Sequence, residues 1–157
     1  MRGSDVIHLS TKSDYAIKAL VRLALADGAA PVTARDIVAF TGIPPKFLEQ
    51  VMHDLRQAGL VQSQRGKGGG YVLARDPATV SFAEVIDLID GRRADPAARA
   101  GSAGSNGGKA RMRGGGRADA LVAPVWREVR DCTRAILGSA TIADAAARAA
   151  AAPMYYI

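Results

Sequence analysis

A mainly α-helical fold with a small β-wing is predicted by three observations. Apolar residues recur at helical spacing in one segment after another, two short alternating runs flank the glycine-rich stretch Arg65-Gly66-Lys67-Gly68-Gly69-Gly70, and a last apolar seam repeats in steps of three and four. The 157 residues fit one domain, or one small domain plus a dimerising extension, and a 48% apolar fraction is enough to bury a core.

Each element carries its own signal. Thr11 to Ala26 reads as a first helix, with Thr11 and Asp14 as its opening pair and Ala16, Ile17, Leu20, Leu23 and Ala24 along one stripe. Thr33 to Phe40 repeats the pattern over a shorter length, opened by Thr33 and Asp36, and Thr41-Gly42 turns the chain. Pro44-Pro45 starts a third helix, where a fixed φ and a missing N–H do no harm, and Gly59 stops it after Ala58. Leu60 to Gln64 and Tyr71 to Ala74 are the two strands, and Ser81 to Ile89 is a fourth helix with a Ser81–Glu84 capping box. Helix, short helix, turn, helix and a two-stranded wing make a winged helix-turn-helix over residues 9–91.

Residues 92–118 are glycine, alanine, serine and arginine with almost no large apolar side chain. Such a segment cannot repay its ordering entropy and is expected to be a disordered basic linker. Residues 119–152 then hold a long C-terminal dimerisation helix and a short closing helix. Val122, Val125, Val129, Cys132 and Ile136 form a heptad seam on the long helix, and Thr141 with Asp144 opens the short one. Pro124 is expected to lie in the first turn of the long helix, where its missing N–H is harmless.

Charge needs to be located before it is interpreted. The formal net charge is +6, yet seven of the 21 basic residues and one of the 15 acids fall within residues 92–118, leaving fourteen of each elsewhere. Net charge is therefore weak support for nucleic-acid binding by the folded part, and local patterning must carry that reading. No apolar run approaches the roughly 18–20 residues needed to span a bilayer, and no secretory leader pattern opens the chain. The expectation is a cytoplasmic protein without a membrane partner.

The third helix carries the strongest chemical signal. Leu48, Val51, Met52 and Leu55 define one face, and Lys46, Glu49, Gln50 and His53 recur on the other. Those four side chains are hydrogen-bonding groups of base-edge reach: Gln pairs with adenine and Glu accepts from the cytosine amino group. A solvated surface helix would show the same periodicity, so the wing matters. Glycines let backbone N–H groups approach phosphates, and Arg65 and Lys67 put charge where a groove-inserted wing needs it. A nucleotide-binding loop is the rival for such glycines, but no Gly-x-x-x-x-Gly-Lys-Ser/Thr is present and no helix follows directly.

Thr11-Lys12-Ser13-Asp14-Tyr15-Ala16-Ile17, Phe47-Leu48-Glu49-Gln50-Val51-Met52, Leu55-Arg56-Gln57-Ala58-Gly59-Leu60-Val61 and the wing stretch through Tyr71 closely resemble the Rrf2 family of winged-helix transcriptional regulators. The resemblance is dense over residues 9–91 and returns weakly at Ser139–Asp144. It implies a homodimer whose long helices cross, with two recognition helices in successive major grooves of a palindromic operator on double-stranded DNA. Glu49 and Gln50 match the family's base-contacting positions and Arg65 its minor-groove wing residue. Lys46 and Lys67 are read as phosphate contacts from charge and placement. Residues 44–75 hold five bases and two acids, a surplus that a dimer doubles.

Cluster-binding members of the family place three cysteines in the loop after the fourth helix, and here that loop has none. The one cysteine, Cys132, sits on the seam. A cluster needs several thiolates, or thiolates with His or carboxylate partners. Asp14 falls where nitric-oxide-sensing members supply an oxygen ligand, but alone it reads as a capping residue, and His8 and His53 read as surface groups. No cofactor and no metal are expected. Three inputs stay open: redox pairing of Cys132 across the dimer, an effector protein or small molecule, or none at all. Repression is the default mode, since a dimer on a promoter blocks polymerase sterically.

An enzyme is not suggested, because no nucleophile–base pairing, zinc spacing or dinucleotide fingerprint is present. A protein-interaction adaptor on a winged-helix scaffold is the competing reading. It should expose apolar anchors on the third helix in place of Lys46, Glu49, Gln50 and His53.

Overall fold

The computed structural model describes residues 9–26, 28, 30–66, 68–94 and 117–151. Their order is α1 (Thr11–Leu25), α2 (Ala34–Thr41), α3 (Pro45–Gln57), β1 (Val61–Gln64), β2 (Gly70–Leu73), a single 3-10 turn at Pro77–Thr79, α4 (Phe82–Ala94), α5 (Arg117–Ser139) and α6 (Ile142–Ala151). This is a mainly helical fold with a two-stranded antiparallel wing, as the hydrophobic periods predict.

One apolar core joins α1, α2, α3, the strand roots, α4 and α6. Leu20, Ile37, Ile43, Leu48, Leu55, Val85, Ile89 and Ile142 are all fully buried in it. Ile142 shows that the closing helix belongs to this core, where α6 packs against α1. The starts of α4 and α6 are tied together. The Phe82 N–H donates to the Ala140 carbonyl at 2.9 Å and the Ile142 N–H to the Val80 carbonyl at 2.9 Å.

The caps confirm some expectations and correct others. α2 opens as expected, with Thr33 Oγ1 accepting the Asp36 N–H at 3.1 Å and donating to the Asp36 carboxylate at 2.8 Å. α1 does not. Its cap is Ser10, whose hydroxyl oxygen accepts the Ser13 N–H at 3.0 Å, so Thr11 is already inside the helix and Asp14 has no capping role. The Asp14 carboxylate accepts instead from Lys18, one turn on, at 2.6 Å. What displaces the cap is Asp90 on α4. Its two carboxylate oxygens accept from the Ser10 hydroxyl at 2.6 Å and the Ser13 hydroxyl at 2.8 Å. The Ser81 box is half formed: Ser81 accepts the Glu84 N–H, while the Glu84 carboxylate turns to Arg75 at 2.6 Å.

α4 runs on to Ala94 and α5 starts at Arg117, so both ends of the basic segment are helical. The disorder expected of its middle, residues 95–116, falls outside the described residues. Pro124 is not in the first turn of α5. The helix starts seven residues before it and continues through it. Pro124 cannot donate to the carbonyl four residues back, so the helix runs through it with one backbone hydrogen bond fewer.

Candidate nucleic-acid interface

The turn that launches α3 is set by Gly42, which takes φ 70 at the end of α2, a left-handed conformation that other residues adopt only under strain. The Gly42 N–H donates to the Val38 carbonyl at 2.8 Å, closing α2 and pointing the chain into Pro44-Pro45. α3 then divides along its axis as the sequence predicts. Leu48, Val51, Met52 and Leu55 are at most 1% exposed, while Lys46, Glu49, Gln50 and His53 all face solvent.

Two contacts to α1 hold the flank of α3. Lys12 forms an ion pair with Asp54, and the Phe47 ring meets Tyr15 edge-on, with centroids 6.4 Å apart. Phe47 is the one large apolar side chain exposed on α3, and it lies on this flank, not among the four polar residues. The outward row is also longer than the sequence reading recognised. Gln57 is exposed, and it continues Lys46, Gln50 and His53 in steps of four, three and four. The same periodicity that marks the first three marks Gln57, and its place at the last helical turn is what obscured it.

The wing lies beside this helix. β1 and β2 pair from Val61–Leu73 to Gln64–Gly70. Tyr71 also exchanges two backbone bonds with Val32, its N–H reaching the Val32 carbonyl at 2.8 Å and its carbonyl accepting the Val32 N–H at 2.9 Å. The wing root is thereby fastened to the chain entering α2. Gly70 is required there, since a Cβ would collide with the Val32 carbonyl. At the tip the Gly69 N–H donates to the Gly66 carbonyl at 2.9 Å, and Arg65 is exposed at the end of β1. Lys67 lies outside the described residues. Cys132 is exposed on α5, away from α3 and the wing, beside Val122, Val125, Val129 and Ile136, which are 37% to 61% exposed.

An outward polar helix, a tethered wing and a matching order of elements have known counterparts. The profile of the Rrf2 family, described as "Iron-dependent Transcriptional regulator", matches residues 9–148. The chain belongs to the Rrf2 family. An HTH-type transcriptional regulator of Mycobacterium tuberculosis (strain ATCC 25618 / H37Rv) is 38% identical over 140 residues, covering 89% of this chain and 81% of that protein. The HTH-type transcriptional regulator IscR of Escherichia coli (strain K12 / DH10B) is 33% identical over 138 residues, covering 88% and 79%. Among solved structures, IscR of T. potens superposes with a TM-score of 0.68 at 29% identity, covering 96% of this chain and 95% of that one. CymR, the global cysteine regulator of B. subtilis, superposes with a TM-score of 0.69 at 27% identity, covering 90% and 98%. This Rrf2 member is a DNA-binding transcriptional regulator, and its relatives are regulators, not enzymes.

The iron in the family's description does not fit the donors of this member. Cys132 is its single cysteine, and residues 92–118 contain no cysteine or histidine. Among the described residues no three His, Cys, Asp or Glu side chains come together. Asp14 is engaged by Lys18, and His53 faces outward on α3. One thiol on an exposed helix cannot hold a cluster that needs several. Among the described residues, no helix is long and apolar enough to cross a membrane.

Proposed function

We propose that this Rrf2 member acts as a homodimer on a palindromic operator and represses transcription in the cytoplasm. Two copies of α3 enter successive major grooves of double-stranded DNA. Glu49 and Gln50 read base edges, with His53 beside them, Lys46 holds a phosphate, and Arg65 with Lys67 steadies the duplex from the wing. The observation that carries this reading is the split of α3: four fully buried apolar side chains on one side and four solvent-facing hydrogen-bonding ones on the other.

The dimer is supported by the exposed seam of α5. Val122, Val125, Trp126, Val129 and Ile136 present apolar surface along one helix, and a monomer gains nothing by leaving such a strip in water. Cys132 sits within that strip as a small side chain of the interface. The donor set does not suit a cluster, which leaves an effector protein or small molecule, redox pairing of Cys132 across the dimer, or no input at all.

Binding-site selection from a randomised duplex pool, with the purified chain in the presence and absence of reductant, tests the reading. A palindromic consensus with half-sites about one helical turn apart is expected. Recovery of sequences without any consensus would defeat it.

A further inference from the structure

The space between the reading helix and the wing is a cleft of about 280 Å³ lined by α2, α3 and β2. Its wall is apolar, formed by side chains such as Val38, Leu48 and Tyr71, and two charged residues stand on it, Arg35 and Glu49. A protein that puts a helix in the major groove and a wing in the adjoining minor groove must straddle one sugar–phosphate strand, because that strand is the ridge separating the two grooves. With α3 on one side of the cleft and the wing strand on the other, the ridge falls over this cleft.

We propose that the cleft seats the DNA backbone and that Arg35 is its phosphate-binding residue, with Tyr71 and Val38 as the apolar wall facing deoxyribose. The inference rests on the reading of α3 and the wing given above. Arg35 is exposed on the first turn of α2, and no ion pair among the described residues engages it. The nearest acid in sequence, Asp36, is committed to the Thr33 hydroxyl at 2.8 Å. Glu49 borders the same space from α3, where its charge would disfavour a phosphate, and among the described residues Arg35 is the one cation lining the cleft to offset it. A planar guanidinium suits the task, since its fork of donors matches two phosphate oxygens. Placement is rigid as well: the two Val32–Tyr71 backbone bonds fasten the start of α2 to the wing strand, so cation and wing approach the duplex as one body.

The test compares wild type, Arg35→Gln and Arg35→Lys on two 40-base-pair probes, a duplex recovered by binding-site selection and a scrambled duplex of the same composition, across a salt series. For Arg35→Gln the affinity should fall by the same factor on both probes, and the slope of log affinity against log salt should flatten by about 0.9 per bound protomer. Arg35→Lys should keep most of that slope, and thermal melting should match wild type for both variants because the side chain is exposed. An unchanged slope for Arg35→Gln overturns the proposal, even where wild type selects a palindrome. A loss confined to the selected probe overturns it too, since Arg35 would then read a base. If wild type prefers no sequence at all, the reading of α3 fails, while the slope on the scrambled duplex still decides the role of Arg35.

Discussion

Gln50 and Asp90 show how differently two polar residues of this regulator are employed. Gln50 is exposed and makes no side-chain hydrogen bond among those described, so its donor and acceptor are available to a base edge. Gln50→Ala should weaken binding to the selected operator by roughly 1–3 kcal/mol and leave affinity for scrambled duplex nearly unchanged, as read by fluorescence anisotropy. Asp90 faces inward and receives the hydroxyls of Ser10 and of Ser13, the latter fully buried. Asp90→Ala would leave the buried Ser13 hydroxyl with the Ser10 hydroxyl, 3.2 Å away, as its remaining side-chain partner and should cost about 1–3 kcal/mol in urea unfolding, with Asp90→Asn losing less because it keeps an acceptor oxygen. Neither role follows from residue type alone. The exposure of Gln50 was legible because Lys46 and His53, at four- and three-residue spacing, are also polar. Asp90 was not, because its partners lie some eighty positions away.

The same contrast between near and distant partners sorts the elements. The cap of α2 was readable because Thr33 and Asp36 complete it between themselves, whereas the α1 cap slid to Ser10 under a bond from α4. Arg35 was passed over for a similar reason. Its charge acquires meaning only when Val32 pairs with Tyr71 and brings the wing beside α2. α6 is the clearest local success, since Thr141 and Asp144 close a reciprocal box: the Asp144 N–H reaches Thr141 Oγ1 at 3.1 Å and the Thr141 N–H reaches the Asp144 carboxylate at 3.0 Å. That backbone bond, then the Thr141 hydroxyl and the nearby Arg148, hold the Asp144 carboxyl below its ordinary value. A carboxyl that titrates lower in the folded state stabilises the fold at neutral pH, and the contribution is lost as pH falls through the depressed value. Thr141→Ala removes the hydroxyl but keeps the backbone N–H, so it should lower the melting temperature modestly at pH 7, and the difference from wild type should shrink on acid titration, as followed by thermal melting.

At the scale of the whole molecule, α5 is the feature that a single chain does not account for. Every described helix before it and α6 after it place residues in the common core, but among the described residues nothing packs over the seam of α5. The heptad spacing announced that seam, yet only the fold shows that α6 returns to α1 and leaves α5 projecting, tied back near its end by Arg134 on Asp87 at 2.8 Å. A symmetric partner laid along the seam would cover Val125 and Val129 together with Trp126. Because these side chains are exposed in the single chain, charging them should not disturb the core. Val125→Glu should give a protein that melts like wild type at low concentration but sediments as a monomer where wild type sediments as a dimer. It should also bind a half-site duplex nearly as well as wild type while losing the added affinity for the full palindrome, because two reading helices joined through α5 engage it at a high effective concentration and two separate ones do not. A dimer that survives the glutamate would place the twofold contact elsewhere on the molecule, and would require a different spacing between the two copies of α3.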